Sequence, residues 1–315
     1  MNAPATPVAA LNAETFAERL RTGIGLRIGP FDFRITIGLR DVAIALHSLY
    51  RDYPVIDDER VFHGHVSLRE ARLRRPGAPR RVRFLVDGRA PHDDRPAAHA
   101  LAVLEWGLNL VVALRFHGFL MLHAAVLERD GRALVMPAMP GHGKTTLCAA
   151  LAHRGWRLLS DEFGLVRPGT ADFVPFPRPM PLKNESIDVL RAFAPGAFFG
   201  PRIEATAKGD IVHLRAPSDS VERAGETARA AWIVFPRWAA GATLSLESVP
   251  ADQAFFSLAT NAFNYELLGE SAFETVRTIV GASRRLRLRY SSLDEAVRAL
   301  NALEAPVDTR EPVDA

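Results

Sequence analysis

Apolar and polar positions along the chain follow two periods, one near 2 and one near 3.6, and these predict a mixed succession of strands and helices. Ala13–Arg21 is expected to form a short helix. Leu26–Ile37 (LRIGPFDFRITI) alternates on both sides of a Gly-Pro turn, the pattern of a β-hairpin. Leu39–Tyr50 has helical spacing, with Val42, Ile44, Ala45 and Leu49 available for one face. Val61–Leu73 and Val82–Asp87 alternate again and flank RRPGAPRR, a turn loaded with arginine. Ala97–Phe116 reads as a long helix with Leu101, Leu104, Leu108, Val111 and Val112 inward. From Met121 to Arg167 the order is strand, turn, strand, glycine-rich loop, helix, turn, strand, with Gly155 as the helix stop. Phe173–Pro181 is too rich in proline for a central strand and is expected to run over the active-site face as an extended loop. Asn184–Phe193 is a short helix with Asn184 as its N-cap. Strands are expected at Ile211–Leu214, Ala231–Phe235, Leu244–Val249 and Arg285–Tyr290, and helices at Ala251–Leu268, Glu270–Val280 and Leu293–Leu303.

This succession is that of an α/β protein. The polar, Pro-bounded stretch Pro91–Pro96 is the expected boundary between an N-terminal α+β region, residues 1–95, and a larger domain, residues 96–305; residues 306–315 are expected to be a disordered tail. Composition adds limits. The 315 residues are 48% hydrophobic and 24% charged, enough for a full core without staples. The net charge of +3 does not argue for nucleic acid as a partner. An arginine cluster (Arg69, Arg72, Arg74, Arg75, Arg80, Arg81, Arg83, Arg89) reads as a solvated hairpin protecting an edge strand, or as a docking surface for an acidic partner or nucleic acid; no aromatic residue interleaves the turn and no recognised nucleic-acid motif is present. The single cysteine, Cys148, excludes an internal disulfide and a cysteine-based zinc site, and is compatible with the cytoplasm. The N-terminus lacks the basic start and apolar core of a signal peptide. The most apolar region, Leu101–Val126, is interrupted by Glu105, Asn109, Arg115 and His117, whereas a membrane span needs ~20 nearly uncharged residues, so no membrane association is expected.

The chemistry concentrates in the central segment. Ala138-Met-Pro-Gly-His-Gly-Lys144-Thr145 has the spacing of a phosphate-binding P-loop, with alanine in place of the first consensus glycine. Such a loop works because backbone N–H groups converge on an anion at a helix N-terminus. The required context is present: a strand before it, Ala133–Pro137, and a helix after it, Lys144–His153. The expected nucleotide-binding stretch is Pro140, Gly141, His142, Gly143, Lys144, Thr145 and Thr146, with the His142 side chain exposed. Lys144 brings a charge to the β- and γ-phosphates of ATP, and Thr145 a hydroxyl to Mg2+. Cys148, beside Leu147 and Leu151, reads as a small buried thiol. Asp161 and Glu162 follow the apolar run Trp156–Leu159, and two adjacent carboxylates allow one to order Mg2+ and the other to accept a proton from an attacking hydroxyl. His123, in Leu122-His-Ala-Ala125, is either a partly buried strand residue or a polar group near the phosphates.

At these residues the segment from His123 to Glu162 resembles the catalytic domain of HPr serine kinase/phosphorylase. That family shows a His-bearing strand, a hairpin, a P-loop, a helix ending in Arg-Gly, and an Arg-Leu strand running into two acids. Here these are His123, Gly141–Thr145, His153-Arg-Gly155 and Arg157–Glu162. The phrases LEWGLN, RPMPLKNESIDV, TAKGDIVHLR, WIVFPRW and NAFNYELLG are similar to the subgroup called HPr kinase-related kinase A, from about Leu26 to Leu303. The resemblance implies a P-loop kinase domain of the HPr kinase and phosphoenolpyruvate carboxykinase type. It implies Mg2+-dependent transfer of the γ-phosphoryl group of ATP to a serine hydroxyl. By position, Asp161 would be the base, Lys144 a phosphate-side catalytic residue, His123 a residue that positions the base, and Thr145 and Glu162 the Mg2+ side. Glu162 stands where HPr kinases usually carry Asp. The long family signature is absent, and Lys183-Asn-Glu185 occupies roughly its place, which makes Glu185 a further metal-side acid. The substrate-docking C-terminal region of HPr kinases does not match. The implied acceptor is therefore a small protein or peptide, in company with a PqqD-type peptide-binding protein, and Lys183, Lys208 and Arg178 are candidate phosphate or substrate contacts. A nucleotide-binding regulatory or assembly module with little transfer activity is the alternative.

Overall fold

Ile28 pairs with Phe31 across Gly29-Pro30, and the alternation on either side of that turn becomes the antiparallel strands Ile24–Ile28 and Phe31–Ile37. This hairpin belongs to a computed structural model that describes residues 6–56, 60–71, 77–137 and 141–304. The expected tail, Ala138 and Pro140 of the glycine loop, and Arg72, Arg74 and Arg75 of the arginine cluster lie outside the described residues. The chain forms a mixed α/β structure in two compact units, residues 1–117 with 175–226, and residues 118–174 with 227–315. This division does not follow Pro91–Pro96. Arg95–Pro96 pairs there as a short strand with Arg81 and Val82, inside the first unit.

The first unit carries a six-stranded sheet in the order Val55–Ile56, Ile24–Ile28, Phe31–Ile37, Gly64–Glu70, Arg81–Val86, Arg95–Pro96. A separate three-stranded sheet is built from Met180–Lys183, Gly209–Leu214 and Ile203–Thr206. The helix Arg40–Leu49 buries Val42, Ala43, Leu46 and Leu49, while Ile44, expected on the inner face, is exposed. The helix Ala100–Arg115 buries Leu101, Leu104, Leu108, Val111 and Val112 as its spacing predicts. With the turn before it, Ala97–Arg115 is long and apolar enough to cross a membrane, yet more than half of that window is buried within the protein.

The phrase LEWGLN acquires a physical meaning on this helix. The Arg178 guanidinium donates to the carboxylate and the carbonyl of Glu105 and to the side-chain oxygen of Asn109. The Tyr50 hydroxyl donates to the same carboxylate at 2.9 Å. Gly107 lies so close to the Phe84 ring that a Cβ there would meet it at 2.3 Å. The ammonium of Lys208 sits 5.3 Å from the Trp106 ring centre. Arg178 is therefore a buried structural partner of Glu105, not a phosphate or substrate contact. Phe173–Pro181 likewise departs from expectation. Phe173 and Val174 close a strand of the second unit, and Pro175–Met180 is buried in the first, with the Tyr53 hydroxyl donating to the Pro177 carbonyl at 3.1 Å. Prolines suit this stretch because it must be extended without donating to a ladder. Asn184 precedes the helix Glu185–Phe193 but does not cap it; its φ is 50°, and its side-chain oxygen accepts from the Asp210 N–H at 3.1 Å. Arg178→Ala leaves the Glu105 carboxylate buried without its counter-ion and is expected to destabilise the protein by about 3–5 kcal/mol. A denaturation midpoint checks this, and Arg178→Met combined with Glu105→Leu should recover most of the loss.

The second unit is organised on an eight-stranded sheet. Arg132–Pro137, Ala228–Trp238 and Arg284–Tyr290 lie side by side and parallel. Leu120–Arg129 pairs antiparallel with Arg132–Pro137 on one side, and on the other with both Arg157–Ser160 and Phe163–Val166. Asp172–Val174 pairs with Phe163–Val166 and also with the start of Ala228–Trp238, which closes those strands into a ring. Ser245–Ser248 covers the outer edge of Arg284–Tyr290. One core gathers Leu120, Leu122, Ala124, Val126, Val135 and Ile233 with Leu258, Val276 and Ile279 from the helices Ala251–Thr260 and Glu270–Ala282. The helices Lys144–Ala152 and Leu293–Asn301 pack on each other. The single helix expected over Ala251–Leu268 breaks at Asn261–Asn264 and resumes as Tyr265–Leu268. The break follows from two side-chain uses: Asn264 accepts from the Met121 N–H at 3.0 Å and donates to the Phe119 carbonyl at 2.8 Å.

Candidate active site

The glycine loop leaves the C-terminal end of Arg132–Pro137, the position from which parallel strands of open α/β sheets present ligands. Gly141 and Gly143 have φ of 87° and 83°, in the left-handed region that a Cβ disfavours. At Gly143 space is short as well, because a Cβ would meet the Tyr290 hydroxyl at 2.8 Å and the Trp238 Cβ at 3.2 Å. The Trp238 N–H donates to the His142 carbonyl at 3.2 Å. Thus two aromatic residues, at the ends of the parallel strands Ala228–Trp238 and Arg284–Tyr290, hold the loop from below. His142, expected exposed, is half-buried. Gly143 then starts the helix Lys144–Ala152 and has no side chain with which to cap it, so the first N–H groups, at Lys144, Thr145 and Thr146, have neither an intrahelical carbonyl nor a side-chain cap to donate to.

The acid pair sits where a strand is interrupted. Arg157–Ser160 and Phe163–Val166 run along the same edge of Leu120–Arg129, Ser160 opposite Val126 and Phe163 opposite His123. Asp161 and Glu162 fall between, beside Ala124 and Ala125, and leave the ladder. From the other side, Ala124 and Ala125 pair with Pro137 and Met136, the residues leading into the glycine loop. Two alanines therefore separate the loop's origin from the acids. The break is built locally: the Ser160 hydroxyl oxygen accepts from the Phe163 N–H at 3.0 Å and the Glu162 N–H at 3.3 Å. Upstream, Arg157 is buried and donates to Glu128 at 2.5 Å, which pins the register of this strand.

Lys144 joins the two halves, its ammonium donating to the Asp161 carbonyl at 3.0 Å. The Asp161 side chain is buried, and among the described residues its Oδ1 has no hydrogen-bond partner. Burial pushes its carboxyl above the ordinary carboxylate value; the Lys144 charge opposes that rise, Glu162 adds to it, and hydrogen bonding from Thr145 and Cys148 opposes it. The Cys148 thiol is pushed up in turn, by burial and then by the Asp161 charge, so it is a buried proton-bearing neighbour and not a reactive thiolate. His123 is half-buried; its backbone N–H donates to the Asn261 carbonyl at 2.7 Å and its ring centre lies 5.4 Å from that of Phe263. Phe263 stacks on Phe163 at 4.7 Å.

A helix start without a side-chain cap, entered through glycines in the left-handed region, fits an anion such as a polyphosphate. Among the described residues no group of three or more His, Cys, Asp or Glu side chains forms a metal site. Thr145, Asp161 and Glu162 alone suit an ion such as Mg2+, which keeps several waters and is bound through one or two carboxylates plus substrate phosphates. The structure thus brings Gly141, His142, Gly143, Lys144, Thr145, Thr146, Asp161, Glu162 and His123 together in one unit. Glu185 begins a helix in the other unit, to which Lys183 and Lys208 also belong. Sequence reasoning missed Ser160, Trp238, Tyr290 and Phe263. The signals were there in part: a serine directly before two acids, and an aromatic residue ending each of two strands. Fold and site together define a mixed α/β protein with a glycine-lined helix start beside a buried acid. No protein-family model matches the chain, and no curated protein matches it.

Proposed function

We propose that this chain is an ATP- and Mg2+-dependent serine kinase with a P-loop domain of the HPr kinase type, close to the HPr kinase-related kinase A subgroup. The observation that carries the reading is the Lys144–Asp161 link, which ties the glycine loop to the acid pair across one helix and one turn. Bound ATP with Mg2+ supplies the phosphoryl group and the charge neutralisation that its transfer requires. The N–H groups from Gly143 to Thr146 and the Lys144 ammonium hold phosphate. The Thr145 hydroxyl and the Glu162 carboxylate lie on the metal side. Asp161 takes the proton of the acceptor hydroxyl. A carboxyl raised by burial holds that proton better than an ordinary one, which suits a base working near neutral pH. His123 orients the acid strand from the neighbouring strand, through the pairing with Phe163. The acceptor is a small protein or peptide in the cytoplasm, presented with a PqqD-type peptide-binding protein. The deciding experiment incubates the full chain with γ-labelled ATP, Mg2+ and the proteins encoded beside it, and maps labelled residues. A labelled serine that depends on Asp161 supports the proposal; nucleotide binding with no label on any of them would favour a regulatory module instead.

A further inference from the structure

Four large apolar side chains stand exposed within one short run of the second unit: Phe256 (66%), Phe263 (48%), Leu267 (64%) and Phe273 (46%). They lie on the helix Ala251–Thr260, the turn and short helix after it, and the start of Glu270–Ala282, elements that pack on one another. Phe255 links two of them, its ring centre 6.0 Å from that of Phe256 and 5.1 Å from that of Phe273. Phe263, in the turn between these helices, stacks on Phe163 and lies 5.4 Å from the His123 ring, beside the candidate site. The inner faces of these helices already supply core through Ala254, Leu258, Ala272, Val276 and Ile279. The exposed set is therefore a second apolar surface, of the kind that marks an interaction site.

Its rim is acidic. Asp252 lies one helical turn from Phe256, Glu270 one turn from Phe273, and Glu266 is next to Leu267; all three are exposed. Among the described residues no basic side chain pairs with them, whereas Glu274 is held by Arg277 at 2.6 Å. Uncompensated carboxylates around an apolar strip repel acidic segments and anionic membranes and attract cations. We propose that this strip docks the acceptor through a positively charged, apolar segment next to its target hydroxyl, with Lys or Arg meeting the rim and Leu- or Phe-like side chains covering the strip. The proposal rests on the kinase reading and names the chemistry of its acceptor.

The test uses the full chain without nucleotide and a short fluorescein-labelled peptide that alternates Lys and Leu around one serine. Two matched peptides carry Glu for Lys, or Ser for Leu. The Lys/Leu peptide is expected to bind at least about tenfold tighter than either, by anisotropy. Leu267→Ser with Phe256→Ser, and Glu266→Lys with Glu270→Lys, should each weaken it at least about tenfold, while circular dichroism stays unchanged because these side chains are exposed. Equal binding of the Lys and Glu peptides, or wild-type affinity in both double variants, overturns the proposal. So does self-association in sedimentation that Leu267→Ser abolishes, which would assign the strip to a second copy of the chain. Peptide docking that persists while Mg·ATP fails to bind would sink the kinase reading and not this surface.

Discussion

Asp161→Asn is expected to lose phosphoryl transfer by about a hundredfold to ten-thousandfold, the range for removal of a general base, while Mg·ATP binding is retained. The same substitution should make the nucleotide-free protein more stable. Asp161 is buried and, among the described residues, its Oδ1 has no hydrogen-bond partner, so burial disfavours its charged form, which asparagine does not carry. The sign follows from linkage. Its carboxyl is raised in the folded state relative to the unfolded chain, so the folded protein binds the proton more tightly. The resulting stabilisation is fully present below the unfolded carboxyl value and is lost as pH climbs through the raised folded value. The stability advantage of Asp161→Asn should therefore be small in acid, grow across that window and level off above it. Thermal melts at a series of pH values read this directly, and transfer assays at matched ATP saturation read the catalytic loss. An active site that keeps a destabilising charge gains stability when it is removed and loses function. Normal transfer by Asp161→Asn would remove Asp161 from the role of base.

Lys144→Ala is expected to abolish measurable Mg·ATP binding. A charge-assisted hydrogen bond contributes about 1.5–3 kcal/mol, and a lysine reaching two phosphates supplies about two of them, which amounts to roughly a hundredfold to ten-thousandfold in affinity. The change acts a second way. Lys144 opposes the rise of the Asp161 carboxyl and donates to its carbonyl, so losing it both unties the acids from the loop and leaves the carboxyl more readily protonated. Calorimetry with Mg·ATP measures the first effect. Unchanged affinity would refute the phosphate-loop reading. A fold largely intact by circular dichroism is expected, since Lys144 is only half-buried and the helix behind it is anchored by Leu147, Cys148 and Leu151.

Much of this site was legible because its parts are local. Gly141, Gly143 and Lys144 lie within one turn of chain, and the strand before them and the helix after them follow from short-range periodicity. Asp161 and Glu162 could be picked out for the same reason, since an apolar run ends at them. What the sequence misjudged depends on partners far away along the chain. Arg178 read as a candidate phosphate or substrate contact; its partner Glu105 lies on a helix whose own pattern shows only an acid within an apolar face. The helix expected through Asn261–Asn264 is broken because Asn264 serves the backbone of Phe119 and Met121, a use that no helical periodicity reveals.

By itself, then, the sequence determined the alternation of strands and helices, the glycine loop with its lysine, and the existence of a nearby acid pair, because each is set by residues within a few positions of one another. Only the tertiary structure decided that the acids leave a strand at an interruption shaped by Ser160, that Asp161 is buried, and that Trp238 and Tyr290 lie against Gly143. It also decided that residues 175–226 join residues 1–117 in one compact unit. The physical reason is the same throughout. Local pattern reports which face of an element is apolar, but burial, and with it the charge state of a carboxylate, is settled by what packs against that face.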